Sequence, residues 1–81
     1  MIQSNRDLYQ NLNEIIRILN LSGEQEQAKQ LEDALSISTV PSEVLGETRL
    51  VLINLKNTKL IEKLNLKIKI EKILQYLNSV L

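Results

Sequence analysis

Between Leu64 and Lys72 the chain reads LNLKIKIEK, with an aliphatic residue at every second position from Leu64 to Ile70. Taken alone, that alternation marks a half-buried β-strand. A strand needs a partner, because an isolated one leaves its backbone N–H and C=O groups unpaired. No other stretch alternates in this way. With no second strand to pair against, the segment is constrained to be helical. Set at about 100° per residue, its residues resolve into two stripes. Leu60, Ile61, Leu64 and Ile68 share one face. Leu66, Ile70, Ile73, Leu77 and Val80 share another, four and three apart in heptad fashion, with Leu74 and Leu81 beside them. The alternation is an overlap of two helical faces. Either one helix over 58–80 meets different neighbours along its length, or it breaks near Asn65 into two.

The rest of the chain has helical spacing throughout. Leu8, Leu12, Ile15, Ile16 and Leu19 predict a first helix over 5–20, opened by Ser4 with Asp7 in a capping-box pattern; Ile18 lies off the stripe as an isolated surface residue. A second helix is expected over 23–36, capped by Ser22 with Gln25, its apolar seam formed by Ala28, Leu31 and Leu35. Ala34 permits close approach, and the narrow seam places this helix outside the core. The short link LSG favours an antiparallel hairpin between the two. The one clear break is SISTVPSEV, where Pro41 disfavours helical geometry at Val40 and then starts a third helix over 42–56, from Pro41 or after a Ser42 cap. Val44, Thr48, Val51, Leu52 and Leu55 make one face of that helix, and Leu45, Leu50 and Ile53 carry apolar character round the rest. Such a helix is expected to be central and buried on two sides. Gly46 inside it costs about 1 kcal/mol relative to Ala, which points to a tight packing contact. The expected fold is an all-α bundle of four or five helices in one domain, residues 1–81.

Sixteen Leu and ten Ile supply the core, with no Phe or Trp and only Tyr9 and Tyr76 as aromatics. An 81-residue chain buries a modest core, so partner-dependent stability is expected. Cys and His are both absent, which removes thiol nucleophiles, thiolate metal sites and the commonest general base. Two glycines, Gly23 and Gly46, build no phosphate cradle. The expectation is a protein that is not an enzyme and takes no cofactor or metal. No apolar run is long enough for a membrane span, and MIQSNRDLYQ has no signal-peptide pattern, which leads to a cytoplasmic expectation with no membrane partner.

The net charge is zero, but it is unevenly distributed. Residues 1–48 carry eight acidic and three basic side chains (−5), and residues 49–81 carry seven basic and two acidic (+5). The acidic candidates are Glu24, Glu26, Glu32, Asp33, Glu43 and Glu47 around the second helix and the start of the third. Capping and dipole complementarity explain those near helix starts. The functional reading is a docking surface for a basic protein. On the basic side, Lys56, Lys59, Lys63 and Lys67 form a stripe at helical spacing. It lacks Arg forks and interleaved aromatics, which argues against nucleic acid and for a solvated face.

The run AKQLEDALSISTVPSEVLGETRLVLINL, Ala28 to Leu55, is similar to a pattern in small bacterial helical proteins, some of them immunity proteins of contact-dependent growth inhibition or similar toxin systems. The shared features are a helix ending Leu-x-x-Ala-Leu, a Ser/Thr-rich turn with a Ser-Glu-aliphatic start, and a long aliphatic helix. Many such proteins have Gly where Val40 and Pro41 stand here. The resemblance spans about a third of the chain and implies a cytoplasmic protein that binds and blocks a cognate toxin domain, a nuclease in the sharpest form, without catalytic residues. The alternative is a homodimeric structural or adaptor protein whose seam is Leu66, Ile70, Ile73, Leu77 and Val80.

Overall fold

Five helices make up the computed structural model, which describes residues 2–81. They are α1 (Asn5–Leu21), α2 (Gln25–Leu35), α3 (Pro41–Lys56), α4 (Lys59–Lys63) and α5 (Lys67–Val80), with no strand among the described residues. The chain is all-α, as the aliphatic spacing predicts.

Local chemistry sets most of the boundaries. Ser4 caps α1, its Oγ accepting the Asp7 N–H at 3.2 Å. The Asp7 carboxylate returns the bond one residue early, accepting from the Gln3 N–H at 3.2 Å rather than from the cap itself. α1 ends at Leu21 with Ser22 as its cap, followed by Gly23, whose φ of 79° lies in the left-handed region that glycine enters without a Cβ clash. Glu24 N–H then donates to Leu19 O at 2.8 Å and Gly23 N–H to Asn20 O at 3.2 Å, the paired closing bonds of a Schellman turn. This turn overturns the expected cap of the second helix. Ser22 closes α1 instead of opening α2, and Glu24 stands at the N-cap with no side-chain cap bond. The seam of α2 is Ala28, Leu31 and Ala34, with Leu35 only half-buried; the rest of the helix is mostly exposed, as expected of an outer helix.

α3 begins at Pro41, where the missing N–H leaves nothing unsatisfied, after Val40 in an extended conformation. Its one buried polar side chain, Thr48, donates its hydroxyl to Val44 O at 2.8 Å. Thr58, next after the end of α3, donates its Oγ1–H back to Leu55 O at 2.7 Å and so helps close α3.

The last segment does break, and it breaks at Asn65. Asn65 has φ 58°, the only non-glycine with positive φ among the described residues. Leu66 N–H donates to Ile61 O at 3.0 Å and Asn65 N–H to Glu62 O at 3.1 Å. This is the same Schellman pattern as at Gly23, with Asn, the residue after glycine best able to sit in the left-handed region. Ile61 and Leu66 flank the turn and are both buried in the core.

The helices close a ring: α1 packs on α2, α2 on α3, α3 on α5 and α5 on α1, with α4 a short corner beside α3. The core inside contains Leu8, Leu12, Ile15 and Leu19 of α1, Leu31 of α2, Leu52 of α3, Ile61 of α4, and Ile70, Ile73 and Leu77 of α5, all fully enclosed. Ile18 is half-buried against this core rather than isolated on the surface. The radius of gyration is 11.7 Å, close to the value of about 12 Å for a compact chain of this length.

Two expectations for α3 fail. It packs on α2 and on α5 and so is buried on two sides as expected, but it is one member of the ring rather than its centre, and Leu50 on its outer side is 53% exposed. No tight contact explains Gly46, since a Cβ built there meets no atom within 4 Å.

Candidate functional site

Topology divides the six acidic candidates into two groups. Glu24 and Glu26 sit at the start of α2, beside the α1–α2 turn. Glu32 and Asp33 lie in its last turn, roughly 9–14 Å further along at 1.5 Å per residue. The link Ser36–Val40 then brings the chain directly to Glu43 in the first turn of α3, with Glu47 one turn on. Glu24 and Glu47 are half-buried and the other four are exposed. None of the six takes part in an ion pair among the described residues.

Helix dipoles account for only part of this pattern. Glu24, Glu26 and Glu43 stand at helix starts, where the partial positive charge favours them. Glu32 and Asp33 stand at the opposite end of α2, whose last turn carries no basic residue. A carboxylate at a helix C-terminus is disfavoured, by about 0.3–1 kcal/mol at an exposed site. Lys29, one turn earlier, forms no ion pair with either. The local fold thus gives no reason for acid at these two positions.

Three exposed aliphatic side chains accompany the α2–α3 group: Ile37 and Val40 in the connecting turn and Leu50 on α3. Ile37, Glu43, Gly46, Glu47, Arg49 and Leu50 line a shallow cleft of about 480 Å³. Exposed aliphatic side chains thus lie on the same part of the chain as carboxylates that form no ion pair among the described residues. Ile37 and Val40 lie in a turn, where helical spacing marks no face; the apolar circumference of α3 is the sequence signal on this side.

The seam expected on the last helix is not open. Leu66, Ile70, Ile73 and Leu77 are buried inside the chain's own core, and only Val80 is exposed. The break at Asn65 turns α5 so that this heptad-spaced stripe faces α3 and α1. Ile68, from the other stripe, is left 69% exposed as a result.

The break also ends the lysine stripe. Lys59 and Lys63 belong to α4, Lys67 opens α5, and Lys56 lies 4.0 Å from Glu71. The acidic and basic halves meet at one ion pair among the described residues, Lys69 to Glu14 at 3.1 Å between α5 and α1. The opposite charges of the two halves are therefore largely uncompensated within the fold.

No group of three or more acidic side chains that could hold a metal ion occurs among the described residues. No helix there is long and apolar enough to cross a membrane. No protein-family model, curated protein or solved structure matches the chain.

Proposed function

We propose that this protein is a non-catalytic binding module whose acidic α2–α3 surface docks a basic protein. In its sharpest form it is a bacterial immunity protein, held in the cytoplasm, that covers the active site of a cognate toxin domain. A nuclease fits best, because a cleft that holds a polyanion is lined with cations. The observation that carries the reading is the placement of Glu32 and Asp33. They sit at the unfavourable end of α2, have no cation paired with them, and adjoin the exposed Ile37 and Val40. Local stability disfavours acid there, and an external basic partner supplies a reason for it. The similarity of Ala28–Leu55 to immunity proteins covers this same helix, turn and helix.

The test is growth rescue. The product of the reading frame adjoining this gene is expressed from an inducible promoter, with and without this chain, and is expected to arrest growth on its own. Rescue is expected from the wild-type chain and its loss from Glu32→Lys/Asp33→Lys, with helicity unchanged by circular dichroism. Absence of rescue by the wild type, or full rescue by the reversed-charge variant, sinks the proposal.

A further inference from the structure

α3 is apolar nearly all round, yet the ring of helices covers only part of its circumference. Along its outer side run Glu43, Gly46, Leu50 and Ile53, with Lys56 at the edge nearest α5. Two open clefts lie on this side. The acidic one is lined by Ile37, Glu43, Gly46, Glu47 and Leu50. The other, of about 750 Å³, has Ile53, Lys56, Ile68 and Lys72 in its lining. Arg49, whose Nε donates to Asn78 Oδ1 of α5 at 2.7 Å, lines both; the side is acidic at the N-terminal end of α3 and, with Arg49, Lys56 and Lys72 against Glu71, net basic at the C-terminal end.

We infer that this side of α3 is the contact between two copies of the chain, packed antiparallel about a twofold axis that passes between Arg49 and Leu50. A twofold interface must be complementary to itself when reversed. This one is: the reversal sets Glu43 towards the partner's Lys56, with the cation of the partner's Lys72 beside it. It also sets the two α3 dipoles side by side and antiparallel. The same register brings the partner's Ile53 over Gly46, whose missing side chain then has a purpose. Inside one chain the glycine only costs helix stability, because nothing stands within 4 Å of its absent Cβ. Between chains it admits an aliphatic side chain close to the α3 backbone. Leu50, 53% exposed in the single chain, falls at the centre of the contact, where burial contributes most. The Lys56–Glu71 pair does not compete strongly, since 4.0 Å between side chains 35% and 45% exposed is a weak, exchangeable contact.

The contact goes beyond the toxin-binding proposal: it takes Glu43, Glu47 and Leu50 of the acidic surface and leaves Glu32 and Asp33, the residues that carry that proposal, at the surface of each copy. Mass in solution reads it without a toxin, so either idea can fail alone.

Sedimentation equilibrium on the full chain decides it. The wild type is expected to dimerise and to dissociate as salt rises. Glu43→Lys/Glu47→Lys and Lys56→Glu/Lys72→Glu each place like charges across the interface, and each alone is expected to weaken the dimer about tenfold or more. An equimolar mixture of the two variants restores both attractive contacts and is expected to give a heterodimer. Leu50→Arg, at an exposed position, is expected to give a monomer of unchanged helicity, which guards against misfolding as the cause. A wild type that stays monomeric up to about 1 mM, a dimer indifferent to these substitutions, or a mixture that stays monomeric overturns the inference.

Discussion

Tyr76 donates its hydroxyl to Oδ1 of Asn5 at 2.8 Å, tying the last helix to the first residue of α1. The bond spans 71 positions of sequence and lies at the surface. It acts where α1 would otherwise fray, beside the Ser4 cap. Removing it with Tyr76→Phe is expected to cost about 0.5–1.5 kcal/mol, the usual net value of one hydrogen bond. The loss should concentrate in faster amide exchange through the first turn of α1. Unchanged exchange there, with stability also unchanged, would show that the bond does not hold the two ends together.

The turn at Asn65 gives a second prediction. Its φ of 58° costs an ordinary L-residue about 1–2 kcal/mol and glycine almost nothing. Asn65→Gly should therefore fold with stability close to wild type, and Asn65→Val should lose about 1–2 kcal/mol or more in urea unfolding. If Val is tolerated as well as Gly, α4 and α5 are joined without a left-handed residue.

Ile73 is fully enclosed by the chain's own helices. Ile73→Val is expected to cost about 0.5–1.5 kcal/mol. Ile73→Lys puts an unpaired cation into the aliphatic core, a loss comparable to the whole stability of a domain this small, roughly 4–12 kcal/mol. The expected result is loss of the helical circular dichroism signal. A well-folded Ile73→Lys chain would mean that α5 presents this stripe outward.

Gly46 is predicted to be a position where stability can be raised. A Cβ there meets nothing within 4 Å, and the backbone has no positive φ to relieve. Gly46→Ala should raise the urea midpoint, adding about 0.5–1 kcal/mol. The dimer contact makes a separate demand on the same residue, so stability of the single chain should rise while dimer affinity falls.

Thr48 has a hydroxyl that is buried yet dispensable. It donates to Val44 O, a carbonyl that the helix's own Thr48 N–H also reaches. Thr48→Val removes the donor, keeps the shape and leaves no acceptor stranded. Thermal unfolding should shift by the equivalent of less than about 1 kcal/mol, whereas Thr48→Ala should lose more by opening a void. Equal losses for both would assign the hydroxyl a structural role.

Some of this molecule was legible along the chain because the cause was local. Ser4 starts α1 through a bond to a residue three positions away, and Pro41 starts α3 through its own fixed geometry. The aliphatic spacing fixed the helical class, since no second strand existed to pair with residues 64–70. Where two local choices were nearly equal, the fold chose. Ser22 suited either end of the first turn, and the left-handed Gly23 assigned it to α1. Residues 58–80 suited one helix or two, and breaking at Asn65 let Ile61 and the Leu66–Ile70–Ile73–Leu77 stripe enter the same core.

The carboxylates show the same division. Composition located the acid in the first half of the chain, and a helix over 23–36 already sets Glu32 and Asp33 in its last turn; the tertiary structure decided that no cation among the described residues pairs with them. Periodicity showed that α3 is apolar around its circumference, and the tertiary structure decided which arc is covered. Hydrophobic spacing records which residues gain from leaving water, a property of each side chain. Which neighbour removes the water depends on how five helices fill space together, and in α3 that packing closes on Leu52 and leaves Leu50 outside.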